Sequence, residues 1–208
     1  MRIHYLVEGP SEEVLLSAWL PRALPQHRHI VYPHEGKGKL PIDPLALPDP
    51  AQRGLLAQLP AKLRAYGQAL DPKTDCVVVL VDADNDDPAH LRASLETVLA
   101  ACAPRPPTAI RVAVEETEAF YLGDVAAIKR AFRTVKRGPY NRYVQDSVCG
   151  TWEVFQAVVA WPYEAKVKWA RTIAPHLSTA TSGPGVNRSP SFQAFYSGVR
   201  QLAGESWP

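Results

Sequence analysis

The hydrophobic pattern of this chain is dominated by one uninterrupted apolar run, Cys76–Val81. Four of its six residues are valine, and no polar residue breaks it. A short β-branched run of this kind is typical of a strand that is buried on both faces, as in the middle of a parallel sheet. The pattern therefore predicts a central strand that ends at Asp82.

Strand-like and helix-like patterns alternate along most of the chain. Short β-rich segments predict further strands at Arg2–Val7, His29–Pro33 and Thr108–Val114. Apolar residues at helical spacing predict helices at about residues 11–24, 51–70, 89–103 and 125–132. This order predicts an α/β fold with a mainly parallel sheet flanked by helices.

The strand signal stops after Thr134, and helical segments separated by proline and glycine follow. The predicted helices there cover residues 151–161, 163–175 and 191–202. We therefore divide the chain into an α/β domain at residues 1–133 and a helical extension at residues 134–208 that packs on it.

Carboxylates follow three of the predicted strands. Asp82 and Asp84 come directly after the central strand. Glu8 follows the first strand, and Glu118 lies just beyond the last one. The carboxyl ends of parallel strands share one edge of the sheet, where ligand sites of open α/β folds lie. At extended spacing Asp82 and Asp84 point the same way and repel each other unless a cation lies between them. Oxygen ligands suit Mg²⁺ or Mn²⁺, so the pattern predicts that these acids converge on a metal site.

The turn after the first strand is predicted to lead into a helix capped by Ser11. Glu12 and Glu13 lie in its first turn, where the helix dipole favours negative charge. We interpret Glu13 as a helix charge only. Glu12 lies one turn from Glu8 and is either a helix charge or a further metal ligand.

Other interpretations of the Asp-x-Asp turn can be compared with the residues around it. An EF-hand loop requires a glycine and a bidentate glutamate where this chain has Asp87 and Ala93. A phosphatase of the haloacid dehalogenase type requires threonine or valine where this chain has Asp86. A nucleotide-sugar glycosyltransferase remains open on the local pattern. So does a solvated acidic turn that caps a helix starting near Pro88.

The net charge of +2 hides an uneven distribution. Residues 71–127 carry 4 basic and 11 acidic side chains, a net of −7, whereas residues 128–171 carry 9 basic and 3 acidic side chains, a net of +6. An acidic site followed by a basic extension suits a metal-dependent enzyme that acts on a polyanion. A solvated basic helical face explains the second segment equally well.

The cysteines and the hydropathy pattern predict a cytoplasmic protein. The three cysteines, Cys76, Cys102 and Cys149, form neither a metal-ligand pattern nor an even set for disulfides. The N-terminal segment is too short and too soon polar for a signal peptide, and no segment has the length of a membrane span.

Several motifs together carry a resemblance to a known domain. They are Val7-Glu-Gly-Pro-Ser-Glu12, Gly36-Lys-Gly-Lys-Leu40, Asp82-Ala-Asp84, Glu118-Ala-Phe-Tyr-Leu-Gly-Asp124, Tyr163-Glu-Ala-Lys166 and Ser189-Pro-Ser-Phe192. With the glutamate and the Asp-x-Asp pair as its most specific part, this set resembles the TOPRIM domain of topoisomerases, primases and OLD-type nucleases. Over most of the chain it looks like the small stand-alone TOPRIM family of unassigned function, whose members often lie beside an ATPase gene in bacterial defence loci. The first motif also argues against a glycosyltransferase.

The resemblance implies roles for individual residues. It implies that Glu8 is a metal ligand or general acid/base, that Asp82 and Asp84 form the metal-binding pair, and that Glu12 is a second acid of the OLD-like version. Glu118 lies in the family's Glu-aromatic segment, and Lys166 is a candidate stabiliser of charge in catalysis. The basic candidates for contacts with nucleic acid are Lys37, Lys39, Lys166, Lys168 and Arg188. For Lys37 and Lys39, a mobile glycine-rich loop is the competing interpretation.

The expected function is a Mg²⁺- or Mn²⁺-dependent nuclease that works with an ATPase in anti-phage defence. The chain is too short for the apparatus of a topoisomerase, and the accessory modules of a primase are not seen. Nucleotidyl transfer at the same site is the enzymatic alternative. The non-enzymatic alternative is a metal- and nucleic-acid-binding partner subunit of a defence ATPase. DNA or RNA is the expected substrate, association with further copies of the chain is left open, and no membrane partner is expected.

Overall fold

The centre of the fold is a four-stranded parallel sheet. The computed structural model describes residues 1–161 and 166–205. The strands, in chain order, are β1 (Arg2–Val7), β2 (Arg28–Pro33), β3 (Asp75–Asp82) and β4 (Thr108–Ala113). Their order in the sheet is β2-β1-β3-β4, and every neighbouring pair is parallel. The predicted α/β fold is thereby confirmed, and the apolar run forms an inner strand that is buried from Asp75 to Val81.

Helices cover both faces of the sheet. They are α1 (Pro10–Ala23), α2 (Leu55–Ala69), α3 (Pro88–Ala101), α4 (Glu118–Leu122), α5 (Val125–Ala131), α6 (Arg137–Arg142), α7 (Thr151–Val159), α8 (Lys166–Ile173) and α9 (Pro190–Leu202). On one face, α2 and α3 bury leucines against Val77 and Val79. On the other, α1 and the C-terminal helices pack around Val78 and Leu80. Burial on both faces is the reason that β3 carries no polar residue between Cys76 and Val81.

The C-terminal helices share a core with the sheet. Trp169 of α8 and Phe192 of α9 belong to the same buried cluster as Trp19 of α1. Trp19 makes an edge-on contact with Phe192 at 5.1 Å between ring centroids. Helix α8 packs on α1, and α9 packs on β4. The division at residues 133 and 134 therefore remains a prediction, with one continuous core on both sides of it. Within the described ranges, no helix is long and apolar enough to cross a membrane.

Three local features differ from the sequence predictions. Ser11 does not cap α1, because Pro10 occupies the first turn and Gly9 is the residue before the helix. A proline at this position has the backbone angle of a helix already fixed, so the helix starts earlier than predicted. Helix α2 begins at Leu55 instead of residue 51. Helix α6 was not predicted, since Gly138 and Pro139 lie inside it. The first three residues of the predicted helix at 163–175 lie outside the described ranges.

Candidate functional site

The carboxyl ends of β1 and β3 are joined by a direct contact between their acidic residues. Glu8 follows β1, and its Oε1 accepts a hydrogen bond of 2.8 Å from the backbone N–H of Asp82, the last residue of β3. The side chain of Asp82 accepts a bond of 2.6 Å from Thr117 Oγ1, which lies beyond β4. Three neighbouring strand ends are thus connected through these acids, as their order in the sheet requires.

Two further carboxylates of this region are buried. Glu12 lies in the first turn of α1 and is 7% exposed, and Glu118 opens α4 and is 3% exposed. Glu12 accepts a hydrogen bond from Ser11 Oγ at 2.8 Å. Burial excludes the interpretation of Glu12 as a solvated helix charge. Both residues interact electrostatically with Asp82.

Asp84 lies in a turn rather than in an extension of β3. Its φ is 49°, in the left-handed region, and its backbone N–H donates to the carbonyl of Glu115 at 2.7 Å. The argument that Asp82 and Asp84 point the same way because of extended spacing is therefore wrong, since the strand ends at Asp82. The capping interpretation applies to Asp87, which accepts a bond of 2.7 Å from His90 N–H at the start of α3.

Lys37 reaches this turn from the loop after β2. Its Nζ donates to the carbonyl of Ala83 at 2.9 Å, to Asp84 Oδ2 at 3.1 Å and to Asp86 Oδ2 at 2.8 Å. The backbone beside it is also held, because Gly36 N–H donates to the carbonyl of Glu8 at 2.9 Å. Lys37 is thus fixed on the acidic turn, which differs from the interpretation as a mobile loop.

Lys166 faces a second pair of acids. Its Nζ lies 3.0 Å from Glu116 Oε1 and 3.9 Å from Glu118 Oε2, and 5.9 Å from the ring centroid of Trp152. Burial lowers the pKa of Lys166, but the charges of Glu118 and Glu116 outweigh it, so the pKa is raised overall. Glu116 was not among the predicted site residues. Its Oε2 is buried without a hydrogen-bond partner.

The neighbouring Glu115 is directed away from this cluster. Its carboxylate accepts hydrogen bonds from the backbone N–H groups of Cys149, Gly150 and Thr151 and from the Thr151 hydroxyl, at the start of α7. Burial raises the pKa of Glu115, but these hydrogen bonds lower it more, so the pKa lies below its ordinary value. Glu115 and Glu116 both follow β4, so their positions in the sequence do not distinguish their roles. The course of the backbone separates them.

Burial and mutual repulsion raise the pKa values of the central acids. Burial, opposed by the Asp82 N–H and reinforced by Asp84 and Glu12, raises the pKa of Glu8 to about 7. Burial likewise raises the pKa of Glu118 to about 7, against the opposing charge of Lys166. The pKa values of Glu12 and Asp82 are raised chiefly by burial as well. A bound cation would relieve this repulsion.

The donor chemistry of the cluster fits a hard divalent ion, since every acidic ligand offers oxygen. In the parts of the chain that the structure describes, no three His, Cys, Asp or Glu side chains are arranged to ligate one ion directly. The direct convergence of Glu8, Asp82 and Asp84 on one ion is therefore not formed here. Mg²⁺ keeps several waters and commonly uses one or two carboxylates, so contact with Glu8 or Asp82 through a partly hydrated ion fits this arrangement.

The remaining basic candidates are exposed. Lys39, Lys168 and Arg188 form no ion pair with a carboxylate in the described ranges. Lys39 borders an open groove of about 550 Å³ beside Asp84, which is lined further by Lys37, His90, Ser94 and Leu56. This groove is large enough to receive a group the size of a nucleotide.

Two of the later motifs have structural roles. Asp124 caps α5 by accepting from Ala127 N–H at 2.8 Å, and Ser189 caps α9 by accepting from Phe192 N–H at 3.1 Å. A Cβ on Gly123 would lie 1.9 Å from Asn187 Oδ1, so this position has no room for a side chain.

Comparisons with known proteins give one result about the family. A family model described as DUF4276, a domain of unknown function, matches residues 7–200. Neither the curated proteins nor the solved structures contain a significant match to the chain.

Proposed function

Because the chain belongs to the DUF4276 family, whose description assigns no function, we propose a function from the site itself. The proposal is a Mg²⁺- or Mn²⁺-dependent nuclease of TOPRIM type that hydrolyses phosphodiesters. Its main support is the contact of 2.8 Å between Glu8 Oε1 and the N–H of Asp82, which connects two acids across neighbouring parallel strand ends. A glutamate that follows the first strand, together with an Asp-x-Asp pair, is the combination on which the TOPRIM resemblance mainly rests.

The surroundings of this contact also support the proposal. Glu12 is buried beside it and forms no ion pair in the described ranges, and a buried unpaired carboxylate is unfavourable unless a cation is present. When bound, a divalent ion supplies charge that stabilises a reacting phosphate and acidifies an attacking water. Glu8 is held in place by the Asp82 N–H, and Asp82 by the Thr117 hydroxyl. Ligands fixed in this way lose little freedom when substrate binds.

Lys166 and Lys39 have different roles in the proposed reaction. Lys166 lies on the acids as a local positive charge, close to where negative charge would develop. The groove beside Asp84 would hold the nucleotide next to the reacting phosphate, with Lys39 at its border. An ATPase as working partner is proposed on the resemblance alone.

A cleavage assay tests this proposal. Plasmid, single-stranded DNA and tRNA are each incubated with the protein in Mg²⁺, in Mn²⁺ and in EDTA. We expect cleavage of at least one substrate with a divalent ion and none in EDTA. The matched variants are Glu12→Gln and Glu13→Gln, since these acids are adjacent but only Glu12 acts on Glu8 and Asp82.

Glu12→Gln should lower cleavage, and Glu13→Gln should not. Cleavage that continues in EDTA would refute the metal dependence. Metal-dependent binding of nucleic acid without cleavage of any of the three substrates would favour the partner-subunit alternative.

A further inference from the structure

We propose that Lys37 and Lys166 are built-in counter-cations that occupy the two flanks of the acidic cluster, so that the site binds a single divalent ion between them. The inference rests on the proposed metal site and specifies how many ions that site takes. The acidic cluster consists of Glu8, Glu12, Asp82, Asp84, Asp86, Glu116 and Glu118. Seven carboxylates carry enough negative charge to attract more than one divalent ion, so the number of ions that bind depends on how much of this charge the lysines already compensate.

Lys37 occupies the flank formed by the turn after β3. An ammonium has three N–H donors, and Lys37 directs them at Ala83 O, Asp84 Oδ2 and Asp86 Oδ2, all within 3.1 Å. An ion bound by the two carboxylates of this turn would have to take the place of the ammonium. The lysine side chain is only 14% exposed, and its charge and volume keep a second cation out of this position.

The backbone of Lys37 is fixed as well as its side chain. Its carbonyl accepts from Leu56 N–H at 2.7 Å, at the start of α2. On its N-terminal side, Gly36 N–H donates to the carbonyl of Glu8 at 2.9 Å. The segment that carries Lys37 is therefore hydrogen-bonded both to the residue after β1 and to the start of α2. A substrate phosphate that binds the ammonium would have to replace its three contacts with the turn.

Lys166 occupies the flank formed by Glu116 and Glu118. Its Nζ is 3.0 Å from Glu116 Oε1 and 3.9 Å from Glu118 Oε2, and the Trp152 ring lies 5.9 Å away. An aromatic face favours a cation at this position. Glu116 retains a buried Oε2 with no hydrogen-bond partner, so its negative charge depends on Lys166 for compensation.

The centre of the cluster has no such cation. In the described ranges, Glu8, Glu12 and Asp82 form no ion pair with a lysine, arginine or histidine, whereas both flanks do. Glu8 and Asp82 are in contact through the 2.8 Å hydrogen bond. Lys37 acts on Glu8, and Lys166 on Glu12, only from beyond ion-pair distance. The carboxylates at the centre are therefore the least compensated of the cluster, which assigns the divalent ion to that position.

Counting bound Mn²⁺ tests the inference without any measurement of activity. Chelator-treated protein is titrated with Mn²⁺, and free Mn²⁺ is followed by electron paramagnetic resonance. We expect about one tightly bound ion per wild-type chain. Lys37→Met should bind a second ion, because it frees the oxygens of Asp84 and Asp86. Lys39→Met is the matched control from the same loop and should bind as the wild type does.

The outcomes separate the inference from the proposed function. Two ions on the wild-type chain would overturn the inference and leave the metal site intact, whereas no bound ion would overturn both. An unchanged count in a folded Lys37→Met variant would refute the role of Lys37. Circular dichroism establishes folding, and Lys166→Met, which should also gain an ion, replaces Lys37→Met if that variant does not fold.

Discussion

The backbone N–H of Asp82 donates a 2.8 Å hydrogen bond to the carboxylate of Glu8, across two neighbouring parallel strands. This bond fixes the Glu8 carboxylate against the end of β3, where the side chain of Asp82 begins. The two acids are 74 residues apart in sequence, and only the pairing of β1 with β3 brings them together.

Removing the carboxylate of Asp82 should nearly abolish cleavage without weakening the fold. Asp82→Asn is expected to lower the cleavage rate by about 100-fold or more. Asp84→Asn should have a smaller effect, because Lys37 rather than the proposed ion occupies the Asp84 carboxylate. Neutralising one member of a repelling cluster relieves that repulsion, so the melting temperature in EDTA should stay constant or rise. Differential scanning fluorimetry and the nuclease assay measure the two effects. A clear fall in the melting temperature in EDTA would instead identify the acid as structural.

The metal-free protein should lose stability as the pH rises through the acidic range. The pKa values of Glu8 and Glu118 are raised from 4.5 to about 7 in the folded protein. Between these values the folded state holds protons that the unfolded chain has released, so stability falls with pH and levels off above about 7. We expect a drop of several degrees in melting temperature in EDTA. Glu118→Gln should reduce this drop.

Two controls define that pH effect. The pKa of Asp75 is lowered, mainly by its hydrogen bond from Arg2, so its contribution is lost only below the ordinary value of 3.8 and does not overlap with this range. Mn²⁺ binds deprotonated carboxylates, so it should raise the melting temperature more at neutral pH than at pH 5. Burial lowers the pKa values of His29 and His34, so these groups add stability as the pH rises toward 6.5 and oppose the effect of the acids. Comparison of Glu118→Gln with the wild type isolates the acid, and an equal pH dependence of the two proteins would contradict the pKa shift assigned to Glu118.

Lys166 and Lys168 should differ in their contribution to stability. Lys166 compensates two acids, one of them Glu118, which is 3% exposed, whereas Lys168 is exposed. Lys166→Met should lower the free energy of unfolding by about 2 kcal/mol, because it leaves buried carboxylates without a partner. Lys168→Met should change it by less than about 0.5 kcal/mol. Urea denaturation at neutral pH in EDTA measures both, and equal effects would refute the difference in roles.

Nucleic-acid binding should weaken with salt if the exposed cations contact phosphates. Each phosphate contact releases counterions, so Lys168→Ala and Arg188→Ala should each lower the slope of log affinity against log salt by about 1. Lys73→Ala is the matched control, because Lys73 precedes β3 at the opposite edge of the sheet. Fluorescence anisotropy with a labelled oligonucleotide measures the slopes. Binding that is independent of salt would assign these cations to a solvated face or to a protein partner.

The sequence was sufficient to predict the sheet and the edge at which the acids lie. A valine-rich run and acids after the strands are local signals, and the structure keeps both. Local sequence patterns do not specify the course of the loops. The contact of Lys37 with Asp84 and Asp86 depends on how the segment after β2 returns over the ends of β1 and β3, which no spacing in the sequence records.

The same limit applies to Glu115 and Glu116. They are adjacent acids after one strand, and the sequence offers no ground for separating them. The left-handed backbone of Glu115, with φ of 60°, directs its carboxylate to the start of α7, and Glu116 is left facing Lys166. The two acids therefore have different roles. Glu115 binds the backbone at the start of α7, and Glu116 belongs to the candidate site.

Glu115 also makes the C-terminal helices part of the support of the site. Its carbonyl accepts the N–H of Asp84, and its carboxylate accepts three backbone N–H groups at the start of α7. Glu115 therefore connects the start of α7 to the acidic turn, through its side chain on one side and its backbone on the other. A chain shortened at residue 133 would lack the start of α7 and would leave the Glu115 carboxylate without its four hydrogen-bond donors. We therefore expect the candidate site to need the helical extension, so that the two are retained or lost as one unit.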